Sequence, residues 1–161
     1  MFRAISLLGL CGLGGCQQAP EPVAKAPTAT VRQSGYYEPI LNIELDFGDT
    51  RSPAMLEQAG IETLSIGKTL ISGKSIVSGK LDAINFVILG GAGPDSSVGR
   101  KIAHYSFPVQ ELRQLANMGV DGTTVLDSAR DVGTWSPTND DVVGGYCKER
   151  KSSAFCHSDQ G

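Results

Sequence analysis

Two histidines, His104 and His157, and four cysteines, Cys11, Cys16, Cys147 and Cys156, are the residues best suited to metal binding or nucleophilic chemistry. A zinc site would draw on Cys147, Cys156, His157 and His104, but their spacing offers no tight ligand pair. No Gly-x-Ser-x-Gly elbow accompanies the histidines, so no serine is set up as a nucleophile. Gly67-Lys68-Thr69 and Gly73-Lys74-Ser75 look like the end of a phosphate-binding loop. Such a loop needs a further glycine five positions earlier, where its amides wrap the phosphates. Glu62 and Lys68 stand there instead. Gly91-Ala92-Gly93-Pro94-Asp95-Ser96 follows an apolar run as a dinucleotide fingerprint would, but lacks its third glycine and carries a stiffening proline. The expectation is a non-catalytic protein without metal, nucleotide or other cofactor.

A chain of 161 residues with 40% hydrophobic content is long enough for one domain with its own core. Its net charge of −3 gives no general attraction to nucleic acid. The N-terminus sets the compartment. Arg3 precedes the apolar stretch Ala4 to Leu13, and small Gly14 and Gly15 lead to Cys16. Basic, apolar and small-residue regions in that order form a secretory signal, here residues 1–15, too short to span a membrane. Leu13-Gly14-Gly15-Cys16 resembles the lipobox of bacterial lipoproteins. The resemblance implies cleavage before Cys16 and acylation of that cysteine, so that several acyl chains anchor the protein durably. Gln17, where a retention signal would place Asp, implies the outer membrane, with the domain facing the periplasm.

Residues 16–35 are rich in Pro, Ala and polar side chains and read as a flexible tether. Near polyproline geometry it would reach roughly 50 Å from the lipid. Residues 36–161 read as the globular domain. Of the four cysteines, Cys11 leaves with the signal and Cys16 takes lipid. The remaining pair, Cys147 and Cys156, is expected to form a disulfide in an oxidising compartment.

Within the domain, Leu41, Ile43, Leu45 and Phe47 alternate as one face of a strand. Ser52-Pro53 signals a helix start, and Ala54 to about Leu64 carries apolar residues at helical spacing, interrupted by Gly60. The near repeat Gly67–Ser72 and Gly73–Ser78 reads as short strands joined by Gly-Lys turns. Ala83–Leu89 predicts a buried strand, and Gly90–Ser97 a loop. His104 is expected at a helix edge. Pro108–Met118 predicts a helix stopped by Gly119, and Thr123–Leu126 a short strand. The tail beyond Gly133 reads as irregular and pinned by the disulfide. The order predicts an α/β (α+β) sandwich, a small mixed sheet with two main helices.

Leu45-Asp46-Phe47, the run Val87–Gly90 leading into a loop with Asp95, and Met118-Gly119-Val120 followed by Ser128–Gly133 and Pro137 together resemble the OmpA-like peptidoglycan-associated domain. The likeness implies a βαβ order and a site in which Asp95 hydrogen-bonds a peptide-stem group of peptidoglycan. The family's arginine is replaced by the stretch His104-Tyr105-Ser106-Phe107-Pro108, leaving Arg100 to pair the ligand carboxylate from a shifted position. The expected role is structural or assembly work in the envelope, gripping peptidoglycan or docking into a secretion, conjugation or pilus machine. The alternative is a lipid-tethered ligand-binding or enzyme-inhibitor module that uses Trp135 and Tyr146 as exposed anchors.

Overall fold

The computed structural model describes residues 26–73, 79–91, 101–135 and 141–157. Five strands form one sheet in the order of the chain: β1 (Thr30–Tyr37), β2 (Ile40–Asp46), β3 (Ala83–Leu89), β4 (Lys101–Pro108) and β5 (Arg130–Thr134). Neighbours are antiparallel except the parallel pair β2 and β3, which needs a crossover. Helix α1 (Ala54–Ile71) makes it. Helices α2 (Val109–Met118) and α3 (Gly122–Asp127) join β4 to β5, and α4 (Val143–Glu149) with a 3-10 turn (Ala154–His157) follows. This is an open α+β sandwich with a mixed sheet, as the element order predicts.

Strand alternation decides which face is buried. Leu41, Ile43 and Leu45 of β2, Ile84, Phe86 and Ile88 of β3, and Tyr105 and Phe107 of β4 share one core with Leu56 and Ala59 of α1, Leu112 of α2 and Leu126 of α3. Two glycines of α1 let the other helices come close. A Cβ on Gly60 would lie 2.1 Å from the carbonyl oxygen of Gly122 in α3, and one on Gly67 would lie 3.0 Å from Ala116 Cβ in α2.

Tyr105 carries the one hydroxyl that this core takes in from β4. It is 1% exposed, and its oxygen lies 2.9 Å from Thr63 Oγ1 in α1. Burial pushes its pKa far above the ordinary 10.0, outweighing the opposing effect of Thr63. Because the folded value is raised, this group's stabilisation is complete below the unfolded pKa and is lost as pH climbs above it. In an alkaline titration followed by ultraviolet absorbance, the Tyr105 share of the tyrosinate signal is expected to appear only with unfolding. Tyr105→Phe should remove that share; its appearance before unfolding would contradict the burial argument.

The structure departs from the sequence reading at five places. Strand structure begins at Thr30, so the end of the expected tether is the sheet's edge strand, and the domain starts before Tyr36. Gly67–Ile71, expected as a Gly-Lys turn leading into a short strand, is the end of α1, because Gly67 and Leu70 are buried on the same side as its earlier apolar residues. The second copy of that hexad lies mostly outside the described residues. Thr123–Leu126, expected as a strand, lies in α3, where Asp121 Oδ1 accepts the Thr124 amide at 2.7 Å and caps the helix. His104 sits on β4 and not at a helix edge. Residues 136–140 and 158–161 of the tail lie outside the described residues, while 141–157 carry α4 and the 3-10 turn and send Tyr146 and Phe155 into the core at 2% and 3% exposure.

Candidate functional site

With the helices of the described residues on one face, the opposite face of the sheet presents β2, β3, β4 and β5 side by side. Register puts their outward side chains in two rows. Asn42 pairs with Asn85, and Asn85 with Ser106. One step along, Glu44 pairs with Val87, Val87 with His104, and His104 with Gly133. Successive side chains of a strand point to opposite faces, so a mixed sheet packed against helices on one face alternates apolar with polar residues.

The first row is knitted by short bonds. Asn85 Nδ2 donates to Asn42 Oδ1 at 3.0 Å. Ser106 Oγ donates to Asp131 Oδ2 at 2.6 Å. A bulge brings Asp131 there: from His104 to Ser106 the chain advances two residues on β4, while its partner runs from Gly133 back to Arg130. Asp131 takes up the extra residue with φ at 49°, a left-handed conformation that Asp adopts more readily than most residues.

In the second row the His104 ring lies on the backbone of Gly133. A Cβ on Gly133 would fall 2.3 Å from the ring's Cε1. The ring packs against Trp135 with centroids 4.7 Å apart, and Lys101 Nζ stands 5.3 Å from the indole. His104 Nδ1 is buried without a hydrogen-bond partner among the described residues. Between these side chains lies an open cavity of about 370 Å³ lined by Asn42, Asn85, Val87, His104, Ser106, Asp131 and Trp135, with Phe86 and Tyr105 at its floor. Its exposed lining is mostly apolar, with Asn42, Asn85, Ser106 and Asp131 as its polar groups. Ser106 Oγ donates to the Asp131 carboxylate and not to an imidazole, so among the described residues Ser106 and His104 do not form a serine–histidine nucleophile pair.

A second cavity of about 350 Å³ opens between the start of α1 and α4. It is closed across by the Arg150–Glu57 ion pair. Arg150 also lies 5.1 Å from the Tyr146 ring and bonds Thr123 Oγ1 at 3.2 Å. These contacts dock the tail.

Of the residues singled out in the sequence, Cys147 and Cys156 are joined, with Cα atoms 5.6 Å apart. Cys16, Asp95 and Arg100 lie outside the described residues. His157 is placed by the 3-10 turn with Nε2 at 3.0 Å from the Lys151 carbonyl. No group of three or more His, Cys, Asp or Glu side chains that could hold a metal occurs among the described residues. Tyr146, expected as an exposed anchor, is a core residue, because α4 turns it inward against Phe155. Trp135 does reach the cavity. The groove's polar residues Asn42, Asn85, Ser106 and Asp131 went unread in the sequence. Asn85, the one polar residue within Ala83–Leu89, was the available signal. No family model, curated protein or solved structure matches the chain.

Proposed function

We propose that the chain is an outer-membrane lipoprotein, acylated at Cys16, that presents one non-catalytic α+β domain to the periplasm. Its role is structural or assembly work in the envelope, through contact with peptidoglycan or with a secretion, conjugation or pilus machine. The observation that carries this reading is the sheet face away from the described helices, which holds a groove with a few polar groups and, among the described residues, no serine–histidine nucleophile pair. The Cys147–Cys156 bond fits the same reading, since such bonds persist in oxidising compartments. Trp135 at the groove favours a second reading, a lipid-tethered ligand-binding or inhibitor module.

The test is fractionation of cells making the full chain or its Cys16→Ser variant, with co-sedimentation of the detergent-solubilised full chain on purified sacculi. The full chain is expected in the outer membrane and the variant in the soluble fraction. Retention of a processed Cys16→Ser chain in the membrane would defeat the lipid anchor. Binding to sacculi supports wall contact. Saturable binding of a soluble enzyme without affinity for sacculi would replace the structural role with the inhibitor module.

A further inference from the structure

We infer that the groove on the sheet face opposite the described helices is a binding site for an uncharged saccharide bearing an acetamido group. The inference deepens the proposed envelope role and rests on that reading for its setting. Charge comes first. Among the described residues the cavity lining includes one carboxylate, Asp131, and no lysine or arginine. The flanking Arg130 is paired with Glu111 at 2.7 Å, and Arg32 with Asp46 at 3.5 Å. A phosphate or carboxylate ligand would meet the negative charge of Asp131 inside the lining, with Lys101 standing only over Trp135 at its edge. A wholly apolar ligand would match most of the lining but would strip water from two carboxamides, a hydroxyl and a carboxylate without replacing those bonds.

The hydrogen-bonding pattern narrows the class further. Asn85 and Asn42 consume one donor and one acceptor on each other. What remains is an acceptor, Asn85 Oδ1, beside donors on Asn42 Nδ2. That is the complement of a secondary amide, whose N–H and C=O would each meet a partner, and reversing both side-chain amides preserves the pattern. Next to the amide pair, the Ser106 hydroxyl already donates its hydrogen bond to Asp131. Its oxygen lone pairs and the free Asp131 oxygen therefore call for O–H donors. An amino sugar supplies an acetamido group and hydroxyls on adjacent ring carbons. A peptide offers the amide without the neighbouring hydroxyls. Val87 and Trp135 provide apolar surface for the C–H groups of a sugar ring, and about 370 Å³ falls within the size of small-molecule pockets.

Trp135 is the chain's only tryptophan, so its fluorescence reports on this groove alone. The detergent-solubilised full chain would be titrated with N,N′-diacetylchitobiose, with cellobiose and with tri-alanine amide. The acetylated disaccharide is expected to give a saturable change, with cellobiose and the peptide at least about tenfold weaker, the equivalent of one lost hydrogen bond at about 1.4 kcal/mol. Asn85→Ala should weaken the disaccharide by a similar factor. Asp131→Asn, which keeps a residue tolerant of left-handed backbone, should weaken it too and serves if Asn85→Ala does not fold. No saturable response to the disaccharide, or an equal response to either control, overturns the saccharide site. Sacculus binding and outer-membrane fractionation with no disaccharide response would leave the envelope role standing and remove this site. A disaccharide response in a chain that does not fractionate with the outer membrane would do the reverse.

Discussion

Gly60→Ala is expected to destabilise the protein by about 2–3 kcal/mol, although alanine is the better helix former by about 1 kcal/mol. Two effects oppose each other, and the geometry decides between them. The added methyl would lie 2.1 Å from Gly122 O, 2.7 Å from Gly122 C and 2.8 Å from Gly122 Cα. The reciprocal contact is as tight, with a Cβ on Gly122 falling 2.3 Å from Glu57 O. Carbon atoms pack best at about 3.5–4.0 Å, so α1 and α3 would have to part by roughly 1 Å. Backbone atoms stand on both sides, so no side-chain rotation relieves the clash. Parting the helices also loosens Val125 and Leu126, both fully buried. Gly144 provides the control. It lies in α4 with nothing within 4 Å of its would-be Cβ, so Gly144→Ala should be neutral or stabilising by under about 1 kcal/mol. Urea unfolding of both variants beside the parent decides the matter. A Gly60→Ala midpoint equal to the parent's would show that the two helices do not meet at these glycines.

The same glycine explains where sequence reading succeeded and where it failed. Gly60 and Gly67 look like interruptions when only helix propensity is weighed. They are the points where α1 admits its neighbours, a property of the partners and invisible in the local pattern. Strands β2 and β3 and helix α2 were legible because each buries one face on a fixed period: Leu41, Ile43 and Leu45; Ile84, Phe86 and Ile88; Leu112, Leu115 and Ala116. Strand β1 was not, because an edge strand with five leading exposed residues carries no buried alternation. Strand β4 hid behind an irregular start, where Ile102 and Ala103 are both buried and the register with β3 shifts. In α3 the β-branched Thr123, Thr124 and Val125 argue for strand, and the Asp121 cap with tertiary packing prevails. The groove was legible only in part. Asn85 could be noticed in the sequence, but Asp131 reaches Ser106 through a bulge and a left-handed residue that no periodicity announces.

Removing the disulfide through Cys147→Ser with Cys156→Ser is expected to cost about 2–3 kcal/mol by restoring freedom to the unfolded chain, given a nine-residue separation. The loss should be felt first in the tail. Several contacts attach this segment to the body, among them the Arg51–Asp141 ion pair and buried Val142. Tyr146 and Phe155 meet edge to face with ring centroids 5.9 Å apart and stand in the core. Ser153 Oγ donates to Asp127, whose carboxylate also accepts the Phe155 amide at 3.3 Å. Arg150 reaches Glu57 on α1. The covalent link holds α4 and the 3-10 turn as one piece, so that both aromatic anchors dock together. Without it each anchor must be ordered separately against chain entropy of about 1–2 kcal/mol per residue. Amide exchange in residues 143–157 should therefore accelerate in the double variant more than exchange in β2 or β3, and the urea midpoint should fall. The sheet and the α1–α3 contact do not depend on the link, so the sheet face opposite the described helices should keep its structure. Uniform acceleration across the whole domain would instead make the tail part of one cooperative unit with the sheet, and an unchanged midpoint would remove the disulfide from the protein's stability altogether.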